Sequence, residues 1–268
     1  MKGLLYPSIC SIAWRERPLD DAIAAAAKAG YAGVELWGPH LDAVCAQEGD
    51  LSRMGSMLEQ LGLAVPMISP YWRIAAEPEE ALQSASRHIR YCQALGCPLI
   101  RGFCGGGDSA DASPAVWQAT IEGLTAICDM ASAEGIGIAL ETHGGHLHDS
   151  TESTLRLIEA VDRPNLGVNL DIYNQFERGE EPLWALEQLR PHVRILHLKN
   201  KSGEEHVRID RGEMAYRPFL LALLDGGYQG NASIEWFGPD PDSAAGEGMS
   251  ALRDLVGERL QGGDDAVV

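Results

Sequence analysis

The sequence predicts an α/β fold of one domain, a single closed (β/α)8 barrel of the TIM type. Three observations predict it. Eight short apolar runs rich in β-branched residues alternate with eight longer segments of helical character. The length of 268 residues fits the roughly 250 that such a barrel needs. Four successive runs in the second half carry an acid or a histidine at their C-terminal ends, where parallel barrels gather functional side chains. A doubly wound open sheet usually stops at about five or six strands, so the count favours closure.

Taken in order, Leu4–Cys10 is the first strand and Pro18–Ala29 the first helix, with Pro and acids in its first turn and Gly30 past its end. GYAGVELW is the second strand, carrying Glu35 and Trp37. Leu51–Leu61 is helical, and Leu63–Ser69 is a third strand running into Pro70, Tyr71 and Trp72. Pro78–Leu95 is a long helix, and Leu99–Cys104 (LIRGFC) a fourth strand followed by a GGGDSADASP loop. Pro114–Glu134 is helical, and the stretch from Gly135 holds the fifth strand. Ser150–Val161 is a helix whose opening Ser, Thr and Glu resemble a cap. NLGVNLD, VRILHLKN and NASIEWFG are strands six to eight, separated by helices near Glu181–Arg190 and Ala215–Asp225. A last helix near Gly248–Leu260 closes a domain of residues 1–260, and the tail 261–268, QGGDDAVV, reads as disordered.

The net charge of −18 and the lack of a basic run argue against nucleic acid. An anionic substrate needs local Arg or Lys to overcome that field. The six cysteines (10, 45, 92, 97, 104 and 128) show no CxxC spacing and lie mostly in apolar stretches, which favours buried reduced thiols and a cytoplasmic protein. GLLYPSIC is too short and too interrupted by Pro7 for a signal peptide, and fits a strand. No window approaches about 20 apolar residues, so no membrane span is expected. A homo-oligomer is compatible with the composition.

The chemistry gathers in GIGIALETHGGHLHDS (135–150) and the three strands after it. Glu141, Asp171, His197 and Glu235 stand 30, 26 and 38 residues apart, each gap long enough for a loop–helix–loop crossover. One such acid reads equally as a helix cap, and Asp171 alone has that reading. Four on successive parallel strands converge at one rim and form a divalent-metal site, because clustered buried carboxylates need counter-charge. Three carboxylates and one imidazole suit one divalent cation, Mn²⁺, Mg²⁺ or Co²⁺. His143 lies two residues beyond Glu141, on the same side if the strand continues, and is placed to act as general base; the plainer reading is a loop or ligand-supporting histidine. Lys199 bears the same relation to His197. Arg101 interrupts an apolar strand, so its charge reaches either a ligand or a carboxylate across the rim. Tyr71 contacts substrate or packs the rim. Glu35 contacts substrate, orients a histidine or, as the favoured reading, forms an internal ion pair. Trp37, Trp72 and Trp236 fall at strand ends as pocket walls, and His146 and His148 are loop residues. GFCGGGD lacks the spacing and lysine of a phosphate loop and reads as a rim loop.

At these residues the chain resembles the sugar-isomerase-like superfamily of metal-dependent TIM barrels, which includes xylose isomerase, tagatose epimerase, hydroxypyruvate isomerase, inosose dehydratase and AP endonuclease relatives. The superfamily's Glu, Asp, His, Glu set falls on Glu141, Asp171, His197 and Glu235. ELWGPH, MISPY, IRGFCGG, ETH, STLRLIEAVDRPNLGVNLD, HLKN and ASIEWFG look most like bacterial 3-dehydroshikimate dehydratases. That resemblance implies a metal-dependent lyase converting 3-dehydroshikimate to protocatechuate. It implies Arg101, Lys199 and Tyr71 around the substrate and His143 as base. Such dehydratases carry a longer segment before the last strand; here residues 201–218 are short, and Arg208, Arg211 and Tyr216 are its candidates to face the site. The alternative is a ketose 3-epimerase or aldose–ketose isomerase, hydroxypyruvate isomerase included, in which Glu141 and Glu235 also move the proton. Either way the partner is a small molecule, a hydroxylated cyclic keto acid or a sugar.

Overall fold

The computed structural model describes residues 3–261. Ten strands and ten helices are present among them. The strands are β1 (Leu4–Cys10), β2 (Gly33–Trp37), β3 (Ile68–Ser69), β4 (Leu99–Gly102), β5 (Gly137–Glu141), β6 (Leu166–Asp171), β7 (Val193–Leu198), β8 (Asn200–Ser202), β9 (Glu205–Val207) and β10 (Gln229–Ile234). The helices are α1 (Leu19–Ala29), α2 (Gly38–Glu48), α3 (Ser52–Gln60), α4 (Pro78–Leu95), α5 (Pro114–Ala133), α6 (Thr151–Val161), α7 (Ile172–Glu177), α8 (Pro182–Leu189), α9 (Tyr216–Asp225) and α10 (Pro241–Val256). Eight strands close into a barrel in the order β1-β10-β7-β6-β5-β4-β3-β2, while β8 and β9 form a separate hairpin.

The chain divides into two compact units, Met1–Pro66 with Ile195–Val268, and Met67–Arg194. In the first, β1 pairs in parallel with β10 from Leu4↔Gln229 to Ile9↔Ile234 and with β2 from Ser8↔Gly33 to Cys10↔Glu35. β10 pairs with β7, placing Ser233 beside His197. Helix α10 packs against α1 and α9 outside this sheet. Tyr31 donates to Ala245 O at 3.0 Å, and the Trp14 indole donates to Asp242 Oδ1 at 2.9 Å. Gly33 is required where it stands, because a Cβ there would lie 2.8 Å from the carbonyl oxygen of Ala64.

In the second unit β6, β5, β4 and β3 are neighbours, all parallel. The register Arg101↔Ala139 and Glu141↔Asn169 sets Arg101, Ala139, Glu141 and Asn169 on one face, since side chains alternate along a strand. Helices α4, α5 and α6 follow one another around the outside. Asn165 ties α5 to β5 by donating to Cys128 O at 2.8 Å and Ile136 O at 3.1 Å. Nearly every residue of β4, β5 and β6 is buried, as strands covered on both faces must be.

Several expected boundaries move. The third strand shrinks to Ile68–Ser69, because Pro66 and Pro70 bracket it and proline has no N–H for a ladder. Helices α2 and α7 were not expected; α7 is a short turn capped by Asp171, and α2 starts on Gly38-Pro39. Residues taken as a connecting segment form the β8–β9 hairpin, paired from Asn200↔Val207 to Ser202↔Glu205. The last helix begins at Pro241 rather than near Gly248, behind an Asp240 cap that accepts from Ser243 N at 3.1 Å. Of the tail, Gln261 donates its N–H to Leu5 O at 2.9 Å; the rest lies outside the described residues. The six cysteines are thiols, none joined in a disulfide, and all but Cys45 are buried. No helix among the described residues is long and apolar enough to cross a membrane.

Candidate metal centre

In the second unit, β5 ends on Glu141 and the neighbouring β4 carries Arg101. The Arg101 guanidinium donates to Glu141 Oε2 at 3.0 Å and to the carbonyls of Ser69 and Pro70 at 3.4 and 3.2 Å. Both side chains are 1% exposed. The guanidinium lies 4.2 Å from the Phe103 ring centroid and 4.8 Å from that of Tyr71, which is itself 48% exposed. Removing either charge would leave the other buried and uncompensated, at a cost of about 3–5 kcal/mol. The charge that breaks the apolar run of β4 thus meets the carboxylate at the end of β5.

Asp171, the last residue of β6, is fully buried and has two tasks. Its Oδ1 accepts from Asn174 N at 3.3 Å, which caps α7. Its backbone is held by Thr142, whose hydroxyl donates to Asp171 O at 3.1 Å and accepts from Asp171 N at 3.0 Å.

His143 lies beyond the end of β5, so strand alternation does not fix its direction. Its half-buried ring meets Phe103 edge-on at 5.2 Å, and its Nδ1 lies 2.6 Å from Gly144 O. Phe103 thus joins His143 to Arg101. His146 stacks on the same phenyl ring at 4.2 Å and on His148 at 5.2 Å. These two histidines have structural roles that sequence reasoning missed, with no periodicity to reveal them. Gly105 N donates to His146 Nδ1 at 2.9 Å, and Cys104 N donates to His148 Nε2 at 3.3 Å. Burial pushes the His146 imidazole down to about 4 and that of His148 down to about 3, so both rings are neutral at pH 7. Asp108 Oδ1 accepts from Gly145 N at 2.6 Å, and buried Asp149 accepts from Ser109 N at 3.2 Å. Arg178 reaches both carboxylates, at 3.3 and 2.9 Å. The β4–α5 and β5–α6 loops are thereby laced into one piece.

In the first unit, β7 carries His197 and leads to Lys199, while Glu235 follows the last residue of β10. Lys199 Nζ donates to Glu235 Oε2 at 3.1 Å, both groups being buried. His197 Nε2 lies 2.8 Å from Glu35 Oε2, and its Nδ1 is 3.7 Å from Glu235 Oε1. Of the three candidates in residues 201–218, Tyr216 is the one turned to this group: it is buried and donates to Lys199 O at 2.7 Å. Arg208 is engaged by Asp210 and Asp254, and Arg211 is exposed. Of the tryptophans, Trp72 is buried and Trp37 packs edge-on against His40 at 5.2 Å. Trp236 meets His206 of the hairpin at 6.0 Å.

Glu141, Asp171, His197 and Glu235 are all buried, and one ligand atom from each lies within 4.8 Å of the others, a grouping that could hold a metal ion. The donor chemistry fits. Glu35, Glu141, Asp171 and Glu235 are buried carboxylates, and Arg101 and Lys199 are buried cations. Clustered buried carboxylates call for counter-charge, which a divalent ion would supply. Oxygen-rich ligation with one imidazole suits a hard or borderline ion.

Comparison with known proteins bears on the family and the fold. The model of the xylose isomerase-like TIM barrel family matches residues 23–255. A 3-dehydroshikimate dehydratase of Bacillus anthracis is 30% identical over 253 residues, which is 86% of this chain and 90% of the relative. The crystal structure of a probable 3-DHS dehydratase from Bacillus anthracis, involved in petrobactin synthesis, matches with a TM-score of 0.83 at 28% identity. It covers 94% of this chain and 98% of that one. A fructoselysine 3-epimerase of Escherichia coli O157:H7 is 20% identical, covering 90% of this chain and 94% of its own.

Proposed function

We propose that this chain, which belongs to the xylose isomerase-like TIM barrel family, is a divalent-metal-dependent lyase that dehydrates 3-dehydroshikimate to protocatechuate. The observation that carries the reading is the placement of a buried cation on each glutamate at the two ends of the ligand set. Arg101 stands on Glu141 at 3.0 Å and Lys199 on Glu235 at 3.1 Å. A neutral sugar needs neither cation, whereas a substrate carboxylate needs at least one against a net charge of −18. The dehydratase relative, 30% identical over most of both chains, supports the same choice.

Glu141, Asp171, His197 and Glu235 would hold the ion, which when bound supplies a Lewis acid for negative charge developing on a ketone oxygen. Arg101 and Lys199 would hold the carboxylate and hydroxyls of the substrate, and exposed Tyr71 would cover it from the rim. His143 takes the proton α to the ketone through a ring nitrogen. It then returns that proton to the departing β-hydroxyl, which leaves as water. Loss of water and tautomerisation give the aromatic catechol acid, so no oxidant is needed and the step is irreversible.

The second reading is a ketose 3-epimerase or aldose–ketose isomerase, supported by the epimerase relative. There Glu141 and Glu235 carry the proton. Incubation of metal-loaded protein with 3-dehydroshikimate, and separately with a panel of ketohexoses, separates the two. Catechol absorbance is expected in the first vessel. Sugar interconversion without catechol absorbance would replace the dehydratase with the second reading.

A further inference from the structure

Glu35 lies in β2, in register with Cys10 of β1, and its side chain is fully buried. Nothing in the proposed reaction uses it. Its Oε2 lies 2.8 Å from Nε2 of His197, 162 residues away in sequence and equally buried. An ionised carboxylate only accepts hydrogen bonds, so the nitrogen it meets carries the proton. In a neutral imidazole the lone pair then belongs to Nδ1, the atom 3.7 Å from Glu235 Oε1. Two acceptors at that separation form no hydrogen bond with each other. They stand as two donors to one cation would stand. Leaving a carboxylate this deeply buried is costly unless it is matched, and the imidazole N–H of His197 contributes to that match.

We propose that Glu35 is a positioning residue for the metal centre. It fixes His197 in the Nε2–H tautomer, holds the ring plane and strengthens Nδ1 as a donor to the divalent ion. The inference rests on the metal reading above. Carboxylates behind ligating histidines act in this way in general, and their loss costs about 10–100-fold in metal affinity.

The test compares wild type, Glu35→Gln and Glu35→Asp after stripping and reloading with Mn²⁺, with the dissociation constant read by competition against a chromophoric chelator. Glu35→Gln keeps the size and an acceptor oxygen but removes the charge. It is expected to bind Mn²⁺ roughly 10–100-fold more weakly, with Glu35→Asp recovering part of the loss. The visible spectrum of the Co²⁺-loaded variant should shift, because the ligand field at Nδ1 changes. A merely structural Glu35 would lower the thermal midpoint and leave affinity and spectrum alone, and that result overturns the inference. A wild type that takes up no divalent ion overturns the metal reading and this inference with it. A wild type that binds while Glu35→Gln binds equally well overturns the inference alone. If the variants do not fold, long-range ¹⁵N correlation spectra of the wild-type protein decide: Nε2 of His197 must be the protonated nitrogen, and the opposite tautomer overturns the proposal.

Discussion

At the scale of single residues, the proposed base and its aromatic neighbours make the sharpest expectations. His143 touches Phe103 and is outside the four-ligand group, so His143→Ala should retain fold and metal content. Its kcat should fall by about 10²–10⁴-fold with KM little changed, because proton abstraction is made in the transition state. Single-turnover assays with metal analysis check this; loss of the ion together with activity would make His143 a support for the ligands instead. His146 gives a stability expectation with a definite sign. Burial, then the neighbouring His143, lowers its folded-state value from 6.5 to about 4. Between those values the unfolded chain binds the extra proton, so this contribution is complete above pH 6.5 and is lost as pH falls towards 4. His146→Asn keeps an acceptor for Gly105 N, and its unfolding free energy should fall less steeply across that window, by up to one proton. Urea denaturation at pH 7, 6, 5 and 4 measures the slope, and an unchanged slope would mean His146 is protonated in the fold.

At the scale of elements, sequence signals were strongest where a local rule acts alone. Helix α6 is bounded by a reciprocal pair: Ser150 Oγ accepts from Ser153 N at 3.1 Å, and Ser153 Oγ accepts from Ser150 N at 3.0 Å. Ser150→Ala should cost about 1 kcal/mol of unfolding free energy with an unchanged denaturant slope; no change would show that Asp149 or water takes over the cap. β1 and α4 were legible to the residue for similar reasons, one a clean apolar run and the other opened by Pro78 and closed by Gly96. The β8–β9 strands have three residues each and α7 has six, too few for either period to declare itself. The grouping of Glu141, Asp171, His197 and Glu235 was legible because four strand ends repeat one pattern. The supporting roles of Glu35 and Arg101 were legible only as alternatives, and the identity of their partners was not: Glu35 meets His197 across 162 positions and Arg101 meets Glu141 across 40, and no local rule encodes such pairings.

At the scale of the whole molecule, charge and metal govern the expectations. A chain of net charge −18 repels an anionic substrate at long range, and in the proposed reaction Arg101 and Lys199 would offset this locally. Raising ionic strength from about 0.01 to 0.1 M shortens the screening length from roughly 30 to 10 Å. The kcat/KM for an acidic substrate should therefore rise over that range, while that for a neutral sugar stays level. A fall for the acid would mean that local attraction outweighs the global field. Purified protein should take up close to one divalent ion per chain, and full activity after exhaustive chelation, checked by elemental analysis, would rule that out. Glu235→Gln removes a charged oxygen from the ligand group and should weaken the ion's hold; equal affinity would remove β10 from the set.

The lacing of two rim loops by Asp108, Asp149 and Arg178 bears on how this scaffold can be altered. Neither loop is an independent cassette. A borrowed β4–α5 loop that lacks a counterpart of Asp108 would leave Gly145 and Arg178 without that carboxylate, and one that lacks Phe103 would leave the His146 ring without its stacking partner. Retargeting by loop exchange should therefore succeed only when residues 103–113 and 142–150 are transplanted together, with position 178 carried along as the third member of the graft.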